Sequence, residues 1–113
     1  MTSERILPDN PLAFIVRCVL ERRILWTYHV NMRLKDRCIS RQMILESVAG
    51  YEIIEANPED KYLPSYLVRS EHRAIVFHVL FAVDVRDDNV RAVTAYRPAP
   101  GEWNGDFRRR RMP

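Results

Sequence analysis

Glycine is scarce in this chain of 113 residues, and several motifs that bind phosphate or carry a nucleophile are missing. Only three glycines are present, which leaves little material for a glycine-rich loop that cradles phosphates. No Gly-x-Ser-x-Gly segment occurs, so the nucleophile elbow of a serine hydrolase is excluded. The three histidines and two cysteines lack the short spacings of metal ligands, and we therefore expect no metal and no other cofactor.

Long apolar runs are also absent. The longest, residues 74–83, falls well short of the roughly 20 apolar residues that a membrane span needs, and it contains a histidine. The shorter run at 11–16 follows an acidic, proline-containing start and lacks the form of a secretory signal. Cys18 and Cys38 match no disulfide framework. These features predict a single domain over residues 1–113, located in the reducing cytoplasm, with no membrane as a partner.

Basic charge is unevenly distributed along the chain. The formal net charge is +3, and it would be −1 without the four arginines at 108–111. Residues 1–49 carry +3, whereas residues 50–107 carry −4. A polyanion that contacts both the first half and the basic tail would explain this asymmetry. A solvated surface with a frayed tail would explain it equally well.

Apolar residues in the first half recur at helical spacing, and those in the second half follow strand patterns. Asn10 and Ser40 are suited to cap helices, and we expect three helices near 11–22, 25–37 and 41–49. The expected strands lie at 52–56, 65–69, 74–83 and 89–97. Short links between strands favour antiparallel pairing. The predicted fold class is α+β, with N-terminal helices packed on a small, mostly antiparallel sheet of about four strands.

The second predicted helix carries a basic strip between two apolar rows. His29, Arg33 and Arg37 follow one another at a spacing of four, so they share one helix face. Apolar rows on both sides predict that this strip faces the rest of the protein, where its charges need partners. A phosphate would satisfy the charges, and so would carboxylates from the acidic second half. The sequence leaves both partners open.

His78 interrupts the most apolar of the predicted strands. A polar group there costs free energy unless it is hydrogen-bonded, so a buried and satisfied core histidine is the common explanation. At a cleft, the same side chain would titrate near neutrality and could move protons. Tyr96 ends the neighbouring strand and stands beside His78 only if the register places both on one face. The sequence does not fix that register.

Histidine, tyrosine and several arginines together suit metal-independent cleavage of RNA. A base takes the proton of a ribose 2′-hydroxyl, the oxygen attacks the adjacent phosphorus, and an acid protonates the leaving 5′-oxygen. Arginines stabilise the charge that develops on the phosphoryl oxygens. Composition alone makes this one option among several.

The order and spacing of these residues resemble a family of small bacterial proteins of unassigned function. The segment from His29 to Ser40 has the pattern H-x-x-x-R-x-x-x-R-x-I-S, although Cys38 stands where the family usually has glycine. The later matching pieces are EIIE at 52–55 followed by Pro58 and Asp60, PSYL at 64–67, HVLFA at 78–82, TAYRP at 94–98, Trp103 and DFRRR at 106–110. The resemblance covers about residues 27–111. Residues 1–25 would add an N-terminal helix, and residues 108–113 would form a basic tail.

This family is distantly similar to the RelE, MqsR and BrnT toxins, whose fold is a helix layer on a small antiparallel sheet. The resemblance implies the toxin of a type II toxin–antitoxin system, an mRNA endonuclease, with RNA and an antitoxin of the zinc-finger type as partners. A homodimer through residues 1–25 is compatible with it. The expected catalytic residues are His78, Tyr96 and His29, with acid and base unassigned. The expected phosphate ligands are Arg33, Arg37, Arg109 and Arg110.

Two other functions remain open at this point. A non-catalytic module that binds nucleic acid or a protein would use the same basic face, because phosphate contact by arginine requires no histidine. A purely structural interaction protein would have His78 fully enclosed, with no cleft beside it.

Overall fold

The computed structural model is an α+β fold with helices over one face of a five-stranded sheet. It describes residues 6–112, so the first five residues of the predicted N-terminal addition and Pro113 of the predicted tail lie outside it. The helices are α1 (Pro11–Leu20), α2 (Tyr28–Leu34) and α3 (Arg41–Glu46), followed by a 3-10 turn (Val48–Gly50). The strands are β1 (Ile24–Trp26), β2 (Glu52–Asn57), β3 (Ser65–His72), β4 (Ile75–Asp84) and β5 (Asn89–Tyr96). None of the helices within residues 6–112 combines the length and apolarity needed to cross a bilayer.

The sheet has one strand more than the sequence predicts. Its order is β1-β5-β4-β3-β2, and β1 pairs with β5 in parallel whereas the other pairs are antiparallel. The expectation that the second helix starts near Leu25 is therefore wrong, because Ile24–Trp26 forms this edge strand. Three residues are too few to show a strand period, and here long-range pairing overrides the local helical spacing.

The turn that follows α2 explains why glycine is favoured at position 38. The amide of Ile39 donates to the carbonyl of Leu34 (3.1 Å) and the amide of Cys38 donates to that of Lys35 (3.3 Å). These bonds form a Schellman motif, which requires a left-handed residue after the last helical turn. Cys38 takes that position with φ of 56°. The side chains of Leu34 and Ile39 are both buried, as the motif's apolar contact requires.

Strand β4 divides the molecule into two layers. Its odd-numbered side chains, from Phe77 to Val83, are fully buried in a core shared with α1, α2 and α3. The even-numbered side chains, including His78, Leu80 and Ala82, lie on the second face. The expectation that this strand is central is confirmed by its position in the sheet order.

The segment after β5 folds back over the second face. Residues 102–111 form an irregular hairpin in which the amide of Asn104 donates to the carbonyl of Arg109 (2.8 Å) and the amide of Arg111 donates to that of Glu102 (2.9 Å). We call residues 102–111 the C-terminal hairpin. Its Trp103 is only 1% exposed, so the hairpin is part of the folded domain. The alternative of a frayed basic tail is therefore wrong for residues 108–111.

We expect the substitution Cys38→Gly to stabilise the protein. A non-glycine residue in the left-handed region costs about 1–2 kcal/mol, part of which the greater freedom of unfolded glycine offsets. The expected gain is about 1 kcal/mol, which corresponds to a rise of a few degrees in Tm for a domain of this size. Thermal unfolding under reducing conditions measures it.

The matched control is Ala13→Gly at an exposed position inside α1. There the backbone is helical, and glycine lowers stability by about 0.5–1 kcal/mol. A fall in Tm for Cys38→Gly similar to that of the control would show that position 38 does not require the left-handed conformation.

Candidate functional site

His78 and Tyr96 form a cross-strand pair on the second face. They are direct partners in the antiparallel register of β4 and β5, and side chains of such partners lie on the same side of a sheet. The imidazole Nδ1 is 3.3 Å from the tyrosine hydroxyl, and the two rings meet edge to face with centroids 5.3 Å apart. The register that the sequence left open therefore brings the two predicted residues together.

The C-terminal hairpin encloses the imidazole of His78. The side chain is 0% exposed. The indole of Trp103 packs edge to face against it at 4.4 Å between ring centroids, and Nε2 lies 2.8 Å from the carbonyl oxygen of Phe107. Both ring nitrogens therefore have a hydrogen-bond partner, as burial of a polar ring requires.

These two partners determine the tautomer of His78. A carbonyl oxygen can only accept, so Nε2 carries the hydrogen and donates to Phe107. In the neutral ring Nδ1 is then the acceptor, and the hydroxyl of Tyr96 donates to it. Burial lowers the pKa of His78, with the Phe107 carbonyl acting in the opposite direction, so the neutral ring is favoured.

Tyr96 is the solvent-accessible member of the pair. Its side chain is only partly buried, unlike that of His78. Burial raises the pKa of its hydroxyl, whereas the positive charge of Arg110 opposes this shift. A phenol that donates to a buried base keeps its oxygen lone pairs for a second partner, so Tyr96 can connect His78 with a molecule outside the protein.

Two ion pairs connect the C-terminal hairpin with β2. Arg108 makes a bidentate pair with Glu52 of β2, at 2.9 Å for both contacts. Arg110 pairs with Glu55 through contacts of 2.6 and 3.1 Å, and its guanidinium lies 4.7 Å from the centre of the Trp103 ring. The hydrogen bonds from Arg108 lower the pKa of the Glu52 carboxyl. Arg110 is thus held near the pair, and the side chains of both Arg109 and Arg110 are exposed.

The remaining predicted residues lie elsewhere. Helix α2 packs into the core through Val30 and Leu34, so it belongs to the layer on the other side of the sheet from His78. His29 and Arg33 are exposed on that helix, and the expectation that the basic strip faces the rest of the protein is wrong for both.

Arg37 contacts the backbone of β5. Its guanidinium donates to the carbonyl oxygen of Ala95 at 2.7 Å, beyond the point where β1 ends. Arg37 therefore satisfies an edge carbonyl directly before Tyr96, which is a structural contact. The role of Arg37 in phosphate binding stays a prediction.

Sequence reasoning assigned no role to the groups that enclose His78. Trp103 contributes to the resemblance, but nothing in the sequence indicates that it packs on an imidazole. The Phe107 contact is made by a backbone carbonyl, which every residue has, so no residue type could have indicated it. Among residues 6–112, no cluster of three or more histidine, cysteine or acidic side chains is arranged to hold a metal ion.

Helices on one face of a mixed five-stranded sheet, with a buried histidine paired to a partly exposed tyrosine on the other, define a small α+β domain. The chain belongs to the family described as Domain of unknown function (DUF4258), whose family model matches residues 26–97. No curated protein and no solved structure matches the chain. The matched range includes His78 and Tyr96 but ends before the C-terminal hairpin.

We expect the buried neutral imidazole to make stability depend on pH. Because burial lowers the pKa of His78 in the folded state, the unfolded chain binds a proton that the native state does not as pH falls below about 6.5, the ordinary histidine pKa. The wild type therefore loses stability on acidification relative to His78→Gln, which has no titrating group there. Urea unfolding of both proteins between pH 8 and pH 5 measures the difference.

Both proteins share every other titrating residue, so the comparison isolates position 78. Above the ordinary histidine pKa the difference in unfolding free energy between them should be constant, and it should shift in favour of His78→Gln below it. A difference that stays constant down to pH 5 would contradict a buried neutral imidazole.

Proposed function

We propose that the protein is a metal-independent ribonuclease, the toxin of a type II toxin–antitoxin pair, in which Tyr96 and His78 act together in proton transfer. The observation that carries the proposal is the fixed tautomer of His78, which directs the Nδ1 lone pair at the Tyr96 hydroxyl. The distant similarity of the family that the motif order resembles to the RelE, MqsR and BrnT toxins supports RNA as the substrate and an antitoxin as the partner.

The proposed reaction begins at the ribose 2′-hydroxyl. Its proton passes to the oxygen of Tyr96 while the tyrosine proton passes to Nδ1 of His78, and the 2′-oxygen attacks the adjacent phosphorus. The bond from phosphorus to the 5′-oxygen breaks, and the same two residues return a proton to that leaving oxygen. The products are a 2′,3′-cyclic phosphate and a 5′-hydroxyl. In this scheme His78 needs no contact with RNA, because it acts through Tyr96.

The third group in this arrangement is the Phe107 carbonyl. It accepts from Nε2 in the neutral ring and would stabilise the imidazolium that forms when Nδ1 takes a proton. This parallels the general pattern in which a base is held in one orientation by a further acceptor. The raised pKa of Tyr96 suits a group that transfers protons without remaining ionised.

Arg110 and Arg109 are the proposed phosphate ligands. Arg110 lies close enough for its charge to lower the pKa of the Tyr96 hydroxyl. Arg109 precedes it in the same hairpin and has an exposed side chain. Guanidinium groups at this point would stabilise the charge on the phosphoryl oxygens as it develops. His29 and Arg33, in the other layer, receive no step in this reaction.

The second candidate function is a binding module without catalysis. The observation that favours it is the complete enclosure of His78, whose two ring nitrogens already have partners. Such a ring also fits a purely structural role. The two candidates differ in one measurable result, which is the appearance of cleaved RNA.

We expect purified protein to cleave single-stranded RNA in the presence of a chelator, and Tyr96→Phe to reduce the rate by about 10²–10⁴-fold. His78→Gln should reduce it to a similar degree, because both variants remove the same proton transfer. Tyr28→Phe, which removes an exposed hydroxyl from α2, is the matched control and should retain the full rate. A gel assay that also identifies the cyclic phosphate end measures the outcome.

Expression in a bacterial host gives an independent test, since the wild type should arrest growth and Tyr96→Phe should not. Binding of RNA without cleavage would favour the second candidate. Cleavage that persists in both Tyr96→Phe and His78→Gln would overturn the assignment of the site.

A further inference from the structure

A cavity of about 320 Å³ lies between the loop at 61–64 and the turn after β4, and another of about 380 Å³ lies beside α1. Neither points to one ligand class, whereas a cavity on the second face does. We propose that this cavity binds one unpaired nucleobase of the RNA, next to the Tyr96–His78 pair. The inference deepens the proposed function and rests on it for the identity of the nucleic acid.

The cavity lies between the loop after β2 and the middle of the sheet. Its volume is about 250 Å³. This is below the roughly 300–1,000 Å³ of sites that enclose a drug-sized ligand, so it suits a single planar ring system. The residues on which the argument depends are Asp60, Tyr62, Leu80, Ala82, Arg91 and Val93.

The position of the cavity relative to Tyr96 follows from the register of the sheet. Leu80 lines the cavity and pairs with Thr94, the cross-strand pair on the second face next to that of His78 and Tyr96. Two residues along a strand span about 7 Å. A nucleotide whose base occupies the cavity would therefore have its sugar and phosphate within reach of Tyr96.

The sheet itself is locally modified at this point. The pairing of β4 and β5 shifts between Leu80 and Phe81, which leaves Val93 as the extra residue of a bulge. Bulges are enriched beside active sites, where they redirect side chains. Val93 lines the cavity together with Leu80 and Ala82, and these three apolar side chains offer a surface for the face of a ring.

An exposed aromatic ring stands at the rim. Tyr62 is 83% exposed, and the ammonium group of Lys61 lies 5.2 Å from the centre of its ring. Isolated exposed tyrosines have no role in the core, whereas aromatic side chains beside a cation are typical platforms for unpaired bases. Any of the four bases could stack on this ring from within the cavity, because each has a planar aromatic face.

The polar groups of the cavity match the edge of a base better than a phosphate. Nε of Arg91 is buried and has no hydrogen-bond partner, although another nitrogen of the same guanidinium contacts Asp84 at 3.3 Å. Arg91 itself lines the cavity and its side chain is 43% exposed, so its guanidinium can donate to an acceptor on a ligand. The carboxylate of Asp60, which accepts from the hydroxyl of Ser65 at 2.7 Å, would repel a phosphate but can accept from a ring N–H.

A short single-stranded DNA tests the inference without chemistry, because it lacks the 2′-hydroxyl that the proposed cleavage requires. Fluorescence anisotropy of a labelled hexanucleotide should show binding by the wild type. Tyr62→Ala should weaken binding by about 10-fold to 100-fold, as expected for the loss of one stacked base. Tyr62→Phe should restore it, since the ring and not the hydroxyl makes the contact.

Tyr28→Ala is the matched control, because this tyrosine is 80% exposed on the helix layer. It should leave the affinity unchanged. An oligonucleotide with abasic positions should bind the wild type as weakly as the intact one binds Tyr62→Ala, and the two changes combined should cause no further loss. Equal affinity of Tyr62→Ala and the wild type, or tight binding of the abasic strand, would overturn the inference, the latter in favour of a phosphate site.

The outcome is distinguishable from failure of the proposed function. Loss of affinity in Tyr62→Ala without any cleavage of RNA by the wild type would support the base site and reject the ribonuclease. Cleavage that depends on Tyr96, together with affinity that is independent of Tyr62, would support the ribonuclease and reject the base site.

Discussion

The hydrogen bond from Nε2 of His78 to the carbonyl of Phe107 connects the stability of the second face with its chemistry. It satisfies a polar group that would otherwise destabilise the centre of the sheet, and it attaches the C-terminal hairpin to β4. The same bond fixes the tautomer and leaves Nδ1 as an acceptor for Tyr96. The attachment of the hairpin and the orientation of the Nδ1 lone pair thus depend on the same N–H donor.

The two faces of the sheet differ in composition. The helix-covered face contains the continuous apolar core, in which residues such as Phe81 and Val90 are fully buried. The second face has polar and charged side chains, and backbone and side-chain polar contacts hold its cover, as in the bond from Arg69 to the carbonyl of Asp106 at 2.9 Å. Because polar contacts are easier to exchange for a ligand than apolar packing, functional groups are expected on the second face.

How much the sequence predicts depends on whether the signal is local. The caps at Asn10 and Ser40 are confirmed by side-chain bonds of 3.0 Å to Ala13 and Met43, because capping acts within one helical turn. Strand β1 was missed because its partner lies more than 60 residues away, at 90–92. The pairing of the two site residues likewise depends on a long-range register, and their cover depends on a backbone carbonyl, so local patterns could not reveal either.

The arginine run near the C-terminus shows why charge counts overstate the attraction for a polyanion. Two of these side chains are already paired with Glu52 and Glu55, so the basic and acidic parts of the chain largely neutralise each other on the second face. RNA phosphates would have to compete with those carboxylates, and salt screens the attraction between exposed charges. A ligand held mainly by a stacked base avoids that competition. Under the proposed function, the apolar cavity at Leu80, and not the arginine run, would therefore be the stronger determinant of where a strand of RNA binds.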